Sequence, residues 1–253
     1  MKKGNIFLLT LVTIFVAGGL LFWYLKPMNA MPQALESMKS NHSVKVTYEN
    51  WITFTPRDAT PTVGFIFYPG AKVDPRSYAP EMSEIASHGF LTVIVPMPLN
   101  LAIFGVDKAG EVIKDYPYIK KWVIGGHSLG GVMAVSYAKS NKNKINGIVL
   151  WASYPDDSDD LSNSSIPTLV IYATNDGLAT PQKIEDAKHL LPQNTEYVRI
   201  LGGDHAQFGW YGDQDGDNPA TITRSDQQKI IVNATLNFLI KRAYGITTII
   251  TLP

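Results

Sequence analysis

The 253-residue chain reads as an α/β fold, a mostly parallel central sheet with helices on both faces and an N-terminal transmembrane helix ahead of it. Strand-like apolar runs alternate with amphipathic stretches from about residue 44 to residue 243. Runs such as "FLTVIV" and "TLVIYAT" are continuously apolar, as strands covered on both faces are. No internal repeat interrupts the alternation, and no second domain appears.

The elements follow in order. "VKVTYENWITF" alternates as a strand does, and "TVGFIFYPG" is a second strand ending in a Pro-Gly break. Residues 78–88 form an amphipathic helix closed by Gly89, and "FLTVIV" follows as a strand. "GVDKAGEVIKDY" is helix, "KKWVIG" strand, "LGGVMAVSYAKS" helix, and "INGIVLWA" and "TLVIYAT" strands. "TPQKIEDAKHLL" is helix and "TEYVRIL" strand. A last helix starts near Ser225, where Ser225 and Gln228 have capping-box spacing, and runs to about Ala243. Residues 152–167, between two of the strands, are too few for a helical lid. The apolar tail "GITTIITLP" has no evident role.

Ahead of the domain, "IFLLTLVTIFVAGGLLFWYL" carries no charge after Lys2 and Lys3. Twenty helical residues match a hydrocarbon core of about 30 Å. The expected organisation is a signal anchor over residues 1–27, a polar stalk over 28–43 and the α/β domain over 44–253. It implies a single-pass cell-membrane protein with its domain extracytoplasmic, or a secreted one if the segment is a cleaved signal peptide. Lys plus Arg and Asp plus Glu both total 22, so charge recommends no nucleic-acid partner. Cysteine is absent, which excludes disulfides, thiolate metal sites and a cysteine nucleophile.

Chemistry concentrates in "GGHSLGG". Gly126, Ser128 and Gly130 meet the pattern GxSxG between a strand and a helix. The sharp turn lifts the serine hydroxyl above the sheet, and glycine neighbours let the helix approach the strand. A serine hydroxyl needs a base. His127 sits on the turn itself with its ring pointing away, His42 lies in the stalk, His88 ends a helix and His189 is on a helical surface. His205, in the loop after the last strand, is delivered to the face of Ser128. Asp176, after an intermediate strand, is the orienting acid, giving the chain order Ser128, Asp176, His205. The acidic patch at Asp156, Asp157, Asp159 and Asp160 reads as a solvated loop.

The segments "FIFYPGAKVDPRSYAP", "VPMPLNLAIFG", "WVIGGHSLGG", "VLWASYP" and "GGDHAQFGWYG" are similar to those of the α/β-hydrolase superfamily, in a compact bacterial subgroup related to dienelactone hydrolases. The resemblance spans residues 44–243. It implies two oxyanion-hole donors, the N–H groups of Leu129 and Ala71. Dienelactone hydrolases typically use cysteine where this chain has Ser128, which favours ordinary ester chemistry. The expected function is a carboxylesterase-type serine hydrolase acting on a small-molecule ester, with no cofactor and no metal. An exported acyltransferase, or a catalytically silent binding protein on the same scaffold, is the alternative. Lys72 and Arg76 follow the Pro-Gly break and read as surface cations. "DQDGDN" spaces Asp213, Asp215 and Asp217 as calcium ligands are spaced, but its glycine is misplaced for an EF-hand and Arg224 stands where a bidentate glutamate belongs. It reads as a structural loop. Phe208, Trp210 and Tyr211 wall a pocket or fill core.

Overall fold

The computed structural model describes residues 26–245 together with residues 13, 15, 18 and 19. Eight strands form one sheet: β1 (Val44–Tyr48), β2 (Ile52–Pro56), β3 (Val63–Tyr68), β4 (Leu91–Ile94), β5 (Lys121–His127), β6 (Gly147–Trp151), β7 (Thr168–Ala173) and β8 (Glu196–Ile200). Their spatial order is β1-β2-β4-β3-β5-β6-β7-β8. The β1–β2 and β2–β4 pairs are antiparallel, and every pair from β4 through β3 to β8 is parallel. The run read as one strand, "VKVTYENWITF", is therefore a hairpin, since the polar Glu49 and Asn50 turn the chain between β1 and β2.

Six helices of the described chain complete the layers: α1 (Pro32–Glu36), α2 (Ala79–Ser87), α3 (Lys108–Asp115), α4 (Leu129–Ser140), α5 (Pro181–Asp186) and α6 (Arg224–Tyr244). One core lies between the sheet and α2 with α6, where Met82, Ile85, Leu236 and Phe238 meet Phe65, Phe67, Val123 and Trp151. The other lies beneath α3, α4 and α5, where Val112, Val135, Tyr137 and Ile184 meet Ile66, Tyr68, Trp122 and Ile124. Successive residues of β3 and β5 feed opposite cores, the period of two expected of a sheet buried on both faces. The last helix is capped two residues earlier than its sequence suggested, at Thr223. Thr223 Oγ1 accepts from Asp226 N–H and donates to the Asp226 carboxylate at 2.6 Å.

The transmembrane helix in the expected architecture is corrected. No helix among the described residues is long and apolar enough to cross a membrane. The longest, α6, carries Arg224, Asp226, Lys229, Lys241 and Arg242, charges that a hydrocarbon core would not accept along a span of about 20 apolar residues. Residues 6–25, on which that expectation rested, lie outside the described residues apart from 13, 15, 18 and 19, as does the tail 246–253. The segment read as a stalk is docked on the domain. Ala34 in α1 is buried, Met28 N–H donates to Lys72 O at 2.7 Å, and Met31 N–H donates to Trp210 O at 2.8 Å.

Candidate active site

Strand β5 ends at His127, and the next residue, Ser128, takes φ 52° and ψ −125° before α4 begins. A non-glycine residue there is strained by roughly 1–3 kcal/mol and persists only where its surroundings over-determine it. They do. Ser128 N–H donates to Trp151 O at 3.0 Å, and its carbonyl accepts from Gly131 N–H, Val132 N–H and Ser153 Oγ. A Cβ on Gly130 would stand 2.1 Å from Tyr68 O, and one on Gly126 would stand 2.6 Å from the same oxygen. Only glycines let α4 rise this close to β3. Leu129 is the first residue of α4, so its N–H has no carbonyl one turn back to bond.

The parallel strands β7 and β8 deliver two loops side by side. Asp176 follows β7 and His205 follows β8, both at the carboxyl ends of the strands, the end where β5 delivers Ser128. His205 Nδ1 lies 2.8 Å from Asp176 Oδ2, and both side chains are buried. Asp176 Oδ1 accepts from Leu178 N–H at 2.8 Å and Ala179 N–H at 2.7 Å. With Nδ1–H donating to the carboxylate, the other ring nitrogen, Nε2, is left as an acceptor. It is buried and bonds to no described residue.

His127 sits in a buried aromatic nest. Its Nδ1 is 2.9 Å from Tyr78 Oη, which also accepts from Gly70 N–H at 3.1 Å. Its ring stacks on Phe208, with centroids 5.7 Å apart and planes at 10°, and lies 4.5 Å from the His205 ring. Burial, reinforced by His205, holds His127 well below the ordinary histidine value, so the ring is neutral. Phe208 and Tyr211 thus fill core around it.

The loop after β3 presents Ala71 next to Gly70. It is braced from two sides: Lys72, at φ 58°, donates its N–H to Asn100 O at 2.8 Å, and Asp74 N–H donates to Met28 O at 3.0 Å. Arg76 is tied to the Asp74 carboxylate through Nε and Nη2.

A model of the alpha/beta hydrolase family matches residues 64–229, a stretch that contains Ser128, Asp176 and His205. The chain belongs to the alpha/beta hydrolase family. Among solved structures, Est1E from Butyrivibrio proteoclasticus, described with ferulic acid bound, is similar at 11% identity and TM-score 0.57, covering 78% of this chain and 96% of its own. MGS-MChE2, an alpha/beta hydrolase enzyme from the metagenome of lagoon sediments of Mar Chica, Morocco, is 15% identical at TM-score 0.51, with 67% and 91% covered. TT1662 from Thermus thermophilus is 12% identical at TM-score 0.52, with 64% and 90% covered. At these identities the likeness is one of fold. No curated protein matches the chain in sequence.

Two acidic segments of this alpha/beta hydrolase resolve differently. Asp156 and Asp160 are exposed and cap local turns through Ser158 and Ser162. Among the described residues no group of acidic or histidine side chains is arranged to hold a metal ion, and "DQDGDN" is a loop whose Asp213 and Asp215 face solvent. Asp217, its third aspartate, turns inward and accepts three backbone N–H groups. Sequence reasoning read Asp217 only as part of a structural loop and passed over Tyr78. The spacing of the aspartates marked Asp217 without showing its partners, and nothing in the sequence marked Tyr78.

Proposed function

We propose that the protein is a serine hydrolase that cleaves small carboxylic esters, with Ser128 as nucleophile, His205 as base and Asp176 as the acid that orients it. The observation that carries this reading is the strained Ser128 at the β5–α4 turn, at the sheet end that also bears a buried imidazole–carboxylate pair. Membership of the alpha/beta hydrolase family supports hydrolysis as the reaction class. In this reading His205 Nε2 takes the proton of Ser128 Oγ as the oxygen attacks the ester carbonyl. The N–H groups of Leu129 and Ala71 hold the oxyanion, and the imidazolium returns its proton to the departing alcohol. Water, activated by the same imidazole, releases the acid. Asp176 acts on the reaction through its Nδ1–H bond to His205.

A fluorophosphonate probe and a series of ester chain lengths test the proposal. The parent should be labelled and should turn over esters, and Ser128→Ala should do neither while remaining folded. An unlabelled, inactive parent would overturn the reading. Ester products formed with added alcohols in preference to free acid would replace hydrolysis with acyl transfer.

A further inference from the structure

We infer that Asp217 is a positioning residue that locks the two members of the His205–Asp176 pair into one geometry; the inference rests on the catalytic reading above. Asp217 Oδ1 accepts from Gly177 N–H at 2.9 Å and from Asn218 N–H at 2.9 Å, and Oδ2 accepts from Ala206 N–H at 2.8 Å. Gly177 directly follows Asp176, and Ala206 directly follows His205. Each carboxylate oxygen therefore grips the peptide adjoining one member of the pair. The loops are already tied at their bases, where Asn175 N–H donates to Gly203 O at 2.9 Å and Gly202 N–H donates to Thr174 Oγ1 at 2.8 Å. Asp217 closes the far end.

The arrangement needs a carboxylate and a glycine together. Three N–H donors meet two acceptor oxygens, a match that an amide, with one oxygen and an NH₂ donor, does not reproduce. A Cβ on Gly177 would stand 2.6 Å from Gly216 O and 3.0 Å from Asn218 N, so the loop carrying Asp217 reaches its partners only because residue 177 has no side chain. Asn175 Nδ2 adds a bond to Pro219 O at 3.1 Å, and Arg224 Nη1 donates to Ala206 O at 2.7 Å. This gives the inward aspartate of "DQDGDN" a role that its neighbours Asp213 and Asp215, facing solvent, do not share.

The test is Asp217→Asn beside Asp213→Asn and Asp215→Asn, with kcat and KM on a short-chain ester and heteronuclear NMR of the His205 imidazole. A misplacement of about 1 Å at the base costs on the order of 10²-fold. Asp217→Asn should lower kcat by about that factor with KM little changed, and should shift the His205 ring resonances, while the other two variants match the parent. Gly177→Ala, which pushes the loop away without touching the carboxylate, should do the same, and the double variant should be no worse than either single one. Parental kcat with unmoved His205 resonances would overturn the inference, as would a loss of activity that merely tracks the folded fraction. A parent inactive on every ester would sink the catalytic reading instead, and the His205 resonances would still report on Asp217.

Discussion

His205 Nδ1 and Asp176 Oδ2 sit 2.8 Å apart with both side chains shut away from water, and the remaining carboxylate oxygen is bonded to two backbone N–H groups. A buried carboxylate so fully satisfied has one orientation to offer the imidazole, and it fixes the tautomer that leaves Nε2 as an acceptor. Asp176→Asn keeps the volume and can reverse the tautomer. In the serine-protease triad the same change costs about 10⁴-fold in kcat. A loss of that order in kcat/KM, with a cooperative unfolding transition retained, is the expected outcome. Near-parental turnover would remove Asp176 from the mechanism.

Strain at Ser128 has a consequence for stability. Replacing it by alanine removes the hydroxyl and leaves a Cβ at φ 52°, whereas glycine relieves the backbone as well. Ser128→Gly should therefore be the more stable of two inactive variants, by about 1–3 kcal/mol in urea unfolding. Equal stabilities would mean that the turn relaxes without cost.

Tyr78 Oη joins the Gly70 N–H to His127 Nδ1, and so couples the loop that presents Ala71 to the strand that presents Ser128. Tyr78→Phe leaves a buried donor and a buried acceptor without partners. The expected loss is about 1–3 kcal/mol of stability for each stranded group, together with a fall in kcat larger than any change in KM. If Ala71 N–H holds no oxyanion, stability should fall while the kinetics of the folded enzyme stay parental.

Local signals in the chain located the sheet, the helices over it and the turn at Ser128, because each rests on short-range rules: a period of two or 3.6, and glycine where no Cβ fits. What they missed depends on contacts between distant segments. Met28 and Met31 bond to Lys72 and Trp210, so a stretch that reads as a polar spacer is docked on the loop that carries Ala71 and on the loop after β8. Asp217 lies forty residues beyond Gly177 and meets it only because β7 and β8 run parallel and deliver their loops together. The cap of α6 lies two residues earlier because Thr223 with Asp226 competes with Ser225 and Gln228 at equal spacing, and spacing alone does not rank them.

Glu81 gives a stability that depends on pH. Its side chain is buried in α2, and burial pushes it up to about 8, with its own backbone N–H, Trp210 and Arg224 acting in the other direction. Below the unfolded value near 4.5 both states hold the proton, and the group contributes no pH dependence. Between that value and about 8 the folded chain holds one proton more than the unfolded chain, so stability falls as pH rises, by up to about 1.4 kcal/mol per pH unit. Above that window both states are ionised and the slope ends. Glu81→Gln removes the titration while keeping the shape. Urea unfolding of parent and variant at pH 5, 6, 7 and 8 should show the variant gaining on the parent at each step up. A difference that stays flat across the series would mean that the folded carboxyl titrates where the unfolded one does, and that water reaches it inside the α2–α6 layer.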